Sequence, residues 1–201
     1  MKIWVVDNGS QWTHRQWRML RYLKVDTEIV PNDTPVQVLE EARLDGVILS
    51  GGGARVGLDG KLGAVSDYLD RLDVPILGVC AGHQYMAKHF GGAAAPGEKG
   101  AEFGEVVIDI TDPDDILRGI PDKTVVWASH HDEVSVVPPG FKVLASSANC
   151  PVQVMRHTTR PLFGMSFHPE VEHTQAGGTM FRNFVRICEE HAAKATPPRT
   201  Q

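Results

Sequence analysis

Cysteine is scarce in this chain. Its 201 residues include three, Cys80, Cys150 and Cys188, far apart and with no CxxC among them. Three thiols cannot all pair, and this spacing suits neither a disulfide framework nor a cysteine zinc site. Long apolar runs are missing too: nothing approaches the ~20 residues of a membrane-spanning helix. Before Asp7 the only apolar stretch is residues 3–6, too short for the h-region of a secretory leader. The expected setting is therefore the reducing cytoplasm, with no membrane partner. Nor is there a basic excess. Lys plus Arg number 20 against 25 Asp plus Glu, a net charge of −5, which argues against a nucleic-acid module. At 42% apolar residues the chain can still build an ordinary core.

Repeats, low-complexity tracts and linkers are absent as well, so one domain over residues 1–195 is expected, with a frayed tail at 196–201. The first half alternates strand and helix patterns. Strands are expected over 2–7, 25–30, 46–50 and 74–79. Helices are expected over 10–23 (Trp17, Leu20 and Leu23 on one side), from Thr34-Pro35 with Thr as N-cap and Val38, Leu39 and Ala42 inward, over 60–72, and over 81–90. From Phe103 short β-type runs take over, at 105–110, 124–128, 134–137, 142–147, 152–156 and 162–167, before a last helix over about 174–191. The fold class is α/β: a flavodoxin-like, mostly parallel central sheet flanked by helices, with a smaller antiparallel β section in the second half.

Four segments could carry chemistry. Gly78-Val79-Cys80-Ala81-Gly82 is the thiol counterpart of the Gly-x-Ser-x-Gly nucleophile elbow. A sharp strand-to-helix turn strains the nucleophile's backbone, the glycines remove clashing side chains, and the helix N-terminus favours thiolate. His168-Pro169-Glu170 follows the last strand. On an extended path His168 and Glu170 point to one side, where the carboxylate can orient the imidazole. Both segments end strands of an open α/β sheet, where sites lie. Ser50-Gly51-Gly52-Gly53-Ala54-Arg55-Val56-Gly57 fits neither the phosphate loop nor Gly-x-Gly-x-x-Gly, yet can bring backbone N–H groups to an oxyanion. Ser129-His130-His131-Asp132-Glu133 suggests a metal, but adjacent strand residues face opposite ways, so no metal site is expected there. His168-x-Glu170-x-x-His173 likewise lacks the helical HExxH spacing.

Together these residues resemble the class I (triad) glutamine amidotransferases, whose glycine-rich strand end, Gly-x-Cys-x-Gly-x-Gln elbow and late His-Pro-Glu occur here in that order, over about residues 2 to 190. Within that family the similarity is to the amidotransferase part of GMP synthases, through Asp7-Asn8-Gly9-Ser10-Gln11, Trp127-Ala128-Ser129-His130-His131-Asp132-Glu133-Val134, and His168-Pro169-Glu170-Val171-Glu172-His173-Thr174. Two positions depart from the pattern: Gly53 where Pro is common, and Ala81 where an aromatic is common. The resemblance implies Cys80 as nucleophile, His168 as acid–base and Glu170 as its orienter. It implies backbone N–H groups of Gly52 and Ala81 as oxyanion donors, and Gln84, Ser129, His130 and His131 as binders of L-glutamine. It implies no cofactor in this chain. ATP, Mg²⁺ and XMP would belong to a separate ATP-pyrophosphatase subunit, the partner that receives ammonia. Alternatives are an amidotransferase for another acceptor such as chorismate, a silent regulatory subunit, and a thiol hydrolase.

Overall fold

A computed structural model describes residues 1–56, 60–113 and 115–195. Gly57 of the glycine run and the tail 196–201 lie outside the described residues. The first parallel strand, β1 (Ile3–Asp7), alternates its buried side chains between two cores. Ile3 and Val5 enter one, and Trp4 and Val6 the other. β3 (Gly46–Leu49) and β4 (Ile76–Val79) divide in the same way. Strands apolar on both faces are what a parallel sheet covered by helices demands.

One core is roofed by α1 (Thr13–Tyr22) and α5 (Gly177–Ala195), through Leu20, Met180, Phe181 and Phe184. Burying each phenylalanine contributes about 2 kcal/mol. The other core is roofed by α2 (Val36–Glu41), α3 (Val65–Arg71) and α4 (Ala81–His89), through Leu39, Leu69 and Met86.

The parallel strands lie in the order β2 (Ile29–Pro31), β1, β3, β4, β11 (Leu162–Met165). The antiparallel strands continue the same sheet. β10 (Val154–His157), β9 (Phe141–Ser147), β6 (Glu102–Ile110) and β7 (Lys123–His130) bring it to nine strands among the described residues. A separate pair joins β5 (Ala93–Pro96) to β8 (Asp132–Val136). β5 lacks the β-branched residues that announce a strand, and no strand is expected there from the sequence.

Local departures have local causes. α2 starts at Val36, not at Pro35, because the Thr34 hydroxyl donates back to the Pro31 carbonyl (2.7 Å) instead of capping the helix. Val38 is 42% exposed rather than inward. The helix expected from residue 60 begins at Val65, since Gly60 and Gly63 have φ of 70° and 55°. A Cβ on Gly63 would fall 2.3 Å from the Asn32 carbonyl oxygen, so that turn has room for glycine alone.

Candidate active site

The parallel strands deliver their carboxyl ends to one place. β4 stops at Val79, and Cys80 follows as the N-cap of α4 with φ 48° and ψ −106°. For a residue with a side chain this conformation costs about 1–3 kcal/mol. The flanking glycines permit it. A Cβ on Gly78 would lie 2.7 Å from the Gly82 carbonyl oxygen, and one on Gly82 would lie 2.6 Å from that of Leu49. The Cys80 N–H donates to the Met165 carbonyl (2.8 Å), tying the elbow to β11. Cys80→Gly is therefore expected to be more stable than Cys80→Ala by about 1 kcal/mol, because glycine relieves the strain and alanine keeps it. Paired urea titrations of the two variants check this, and equal midpoints would show that the elbow is unstrained.

His168 and Glu170 meet, but not along an extended path. The Val171 N–H donates to the His168 carbonyl (3.3 Å), so residues 168–171 form a turn with Pro169 at its second position. The reversal brings the His168 Nδ1–H to Glu170 Oε1 at 2.9 Å, with both side chains buried. The turn is pinned from outside. The His168 N–H donates to the Trp127 carbonyl (2.9 Å), the Thr174 hydroxyl donates to the His168 carbonyl (2.7 Å), and the Gln175 N–H donates to the Val125 carbonyl (2.9 Å). Burial alone would push the His168 imidazolium down. The Glu170 carboxylate and a hydrogen bond with Cys80 outweigh it and raise His168 to about 10. The ring thus carries a proton at neutral pH. Gly51 leaves room for the pair: a Cβ there would lie 3.0 Å from His168 Cε1 and 3.4 Å from Cys80 Cβ.

The glycine run is a held turn. The Asn8 N–H donates to Ser50 Oγ (2.9 Å) and the Asn8 side-chain amide donates to the Ser50 carbonyl (2.8 Å). A Cβ on Gly52 would lie 2.2 Å from the Asn8 carbonyl oxygen. Gly52, Cys80, Gln84, Ser129, His131 and His168 border a cleft of about 310 Å³. Ala81, buried, opens α4 beside it, and Glu170 sits behind His168.

The other sequence candidates divide by direction. The Gln84 amide donates to the Asp132 carbonyl (2.6 Å), and Cys80 Sγ lies 3.8 Å from the Ser129 carbonyl oxygen. His130 borders the cleft, yet its Nε2 lies 3.1 Å from Glu102 Oε2, while His131 is exposed against Phe103 (ring centroids 4.9 Å apart). Asp132 pairs with Arg55 (2.7 Å), and Glu133 accepts from the Glu98 N–H (3.2 Å). His173 packs on Trp127 (4.7 Å). Behind His130, Glu102 also accepts from Ser147 Oγ (2.7 Å) and the Gln153 amide (2.6 Å), beside Cys150, whose thiol burial pushes up to about 12. Glu102, His130 and Cys150 place donor atoms within 4.8 Å of one another, with the carboxylate engaged by these hydrogen-bonding side chains.

Four site residues escape sequence reasoning. Arg55 and Asp132 stand in quoted motifs, but a pairing across 77 residues leaves no local signal. Trp12 sets its ring edge-on to His168 (centroids 4.3 Å, 68°), and the Gln16 amide donates to Glu170 (3.1 Å).

A strained thiol, a carboxylate-anchored imidazolium and a cleft edged by glycine backbone make up the equipment of nucleophilic acyl transfer. The family model for class-I glutamine amidotransferases matches residues 4–188. A protein from Thermococcus kodakarensis, named as a subunit of glutamine-hydrolyzing GMP synthase, is 49% identical over 186 residues, 92% of this chain and 98% of that one. One of the same name from Thermoplasma acidophilum is 49% identical over 193 residues, 95% and 94% of the two chains. The crystal structure of a Thermoplasma acidophilum protein described as a GMP synthase subunit superposes with a TM-score of 0.92 at 46% identity, covering 97% of each chain. A Thermotoga maritima glutamine amidotransferase at 18% identity (TM-score 0.71, covering 99% of this chain and 87% of that one) shares the fold. With its elbow, its histidine turn and its doubly covered sheet all accounted for, this chain belongs to the class-I glutamine amidotransferases.

Proposed function

We propose that this chain is the glutamine-hydrolysing subunit of a GMP synthase. It would form one amidotransferase domain over residues 1–195, act in the cytoplasm, and pass ammonia to a separate ATP-pyrophosphatase subunit. The observation that carries the reading is the buried His168–Glu170 pair beside a nucleophile elbow, in a chain 49% identical over nearly its full length to relatives of that name.

Cys80 Sγ attacks the side-chain amide carbon of L-glutamine. Backbone N–H groups of Gly52 and of Ala81 receive the oxyanion, each such donor being worth ~3 kcal/mol. His168, holding the proton of the thiol, gives it to the departing nitrogen, so the C–N bond breaks and ammonia leaves. Water then attacks the glutamyl thioester, its proton going to His168 and then back to sulfur as glutamate departs. Glu170 fixes the ring through Nδ1 so that Nε2 faces the chemistry. Ser129, His130, His131 and Gln84 hold the glutamine. Gln84 and His130 act through the cleft wall, since their polar atoms engage Asp132 and Glu102. No step uses a cofactor of this chain. ATP and Mg²⁺ serve the partner, which activates XMP for attack by ammonia.

The test is ammonia release from glutamine by this chain, alone and with a GMP synthetase subunit given ATP, Mg²⁺ and XMP. Release that rises severalfold with the loaded partner, with matching GMP formation, is expected. Release indifferent to that partner would move the acceptor elsewhere, and no release would overturn the reading.

A further inference from the structure

We propose that Gln16 is a positioning residue for the His168–Glu170 pair, and that α1 is the brace through which it acts. The inference rests on the glutaminase reading above and adds a residue to it. Gln16 is fully buried on the inward stripe of α1, four residues after Trp12 and four before Leu20, where helical spacing calls for an apolar side chain. Its amide N–H instead donates to Glu170 Oε1 at 3.1 Å, across 154 residues of sequence. The same oxygen accepts the His168 Nδ1–H at 2.9 Å.

Glu170 Oε2 is buried and has no donor among the described residues. The charge of this carboxylate is therefore met through one oxygen, by one imidazole and one amide. A buried carboxylate with too few donors is costly, and a hydrogen bond to an ionised group is among the stronger kinds. Gln16 thus supplies half of the polar contact that holds Glu170 where His168 needs it. The amide orientation follows from the partner: turning it over would set its carbonyl oxygen against a carboxylate. Gln16 Oε1 is itself buried and unmatched, so the residue adds no full hydrogen-bond set to the core. One turn earlier Trp12 stands edge-on to the His168 ring. α1 and its N-cap residue therefore touch both members of the pair, the ring through Trp12 and the carboxylate through Gln16.

The expected result separates positioning from packing. In Gln16→Leu, measured on the full chain with its loaded partner, kcat for glutamine hydrolysis falls about tenfold while KM stays within about twofold. Thermal stability falls modestly, since the bond lost from the Glu170 carboxylate outweighs the orphaned acceptor removed with it, and the kcat-against-KM split and the NMR signal are the readouts that packing alone would not move. The low-field proton signal of His168 Nδ1–H, followed by NMR, shifts or broadens. In Gln16→Glu, of the same shape, two buried carboxyls face each other and one must take a proton. Its activity is lowest at alkaline pH and recovers as pH falls and the added carboxyl becomes a donor, a trend absent from Gln16→Leu. A kcat within twofold of native in Gln16→Leu with the His168 signal unmoved overturns the proposal, as does a loss confined to KM. Should the native chain release no ammonia, the glutaminase reading fails, and the NMR signal still decides whether Gln16 holds the pair.

Discussion

Cys80→Ala should abolish ammonia release from glutamine, lowering the rate by about four orders of magnitude or more, because attack on the amide carbon has no other route in this site. Cys150 and Cys188 cannot substitute. Both are buried in the core, with thiols held above the ordinary range by desolvation. Alanine keeps the cleft and its bordering backbone, so glutamine should still bind, as isothermal titration can verify. The substitution also bears on His168, whose proton is held partly by its interaction with Cys80. The variant's imidazole should therefore titrate at lower pH than the native one, which NMR of the ring can follow. Residual release within about a hundredfold of the native rate would remove Cys80 as nucleophile.

His83 carries the second large effect, and it concerns stability. The ring is fully buried beneath α4, and its Nε2–H donates to the Val152 carbonyl at 3.2 Å. A Cβ on Gly164 would lie 2.3 Å from its Nδ1, so neither water nor an acidic partner fits on that side. Burial pushes the imidazolium down to about 3 from 6.5, and the Val152 carbonyl offsets little of it. The unfolded chain then binds a proton below pH 6.5 that the folded chain refuses until about pH 3. Stability present above pH 6.5 is lost as pH falls, by about 1.4 kcal/mol per unit, or about 2 kcal/mol by pH 5. His83→Gln keeps a donor for Val152 and removes the titration. Its urea-unfolding free energy should fall less than the native value between pH 7 and pH 5, by about that amount. His157 is shifted in the same direction but is present in both proteins, so the comparison cancels it. His168, raised instead, is protonated in both states below pH 6.5, and its own contribution fades only as pH rises toward 10. Identical pH slopes for the two proteins would mean that His83 can be hydrated where it sits.

The contrast between Cys80 and Gln16 shows what a sequence exposes. The elbow is legible because its strain must be accommodated within two residues on either side, and Gly78 and Gly82 record that in place. The glycine strand end is legible for the same reason. β1, β3 and β4 are legible because burial on both faces leaves an unbroken apolar run, whereas β2, expected over 25–30, is confined to the half-exposed Ile29–Pro31 at the margin. Gln16 and His83 are single polar residues in apolar surroundings, and their partners are 154 and 69 residues away. Nothing local distinguishes them from solvated side chains. The Pro169 turn is misread as extended because proline suits both paths, and only the pinning by Trp127 and Thr174 selects the reversal. The joining of the antiparallel strands to the parallel sheet depends on β10 pairing with β11, a register that no turn signal announces.

The segment from His168 to Gln175 has a second consequence, for solubility. It runs along β7, the last strand of the sheet, and its N–H groups occupy the Trp127 and Val125 carbonyls. The Trp127 N–H, in turn, donates to Thr174 Oγ1 at 2.9 Å. At the opposite margin β2 is three residues long and ends in a proline. A bare margin would be a template on which a second chain could add a strand and begin an aggregate. Here one margin is too short to serve, and the other is sealed by the turn that carries His168. The placement of the His168–Glu170 pair and the protection of this sheet margin therefore depend on the same eight residues.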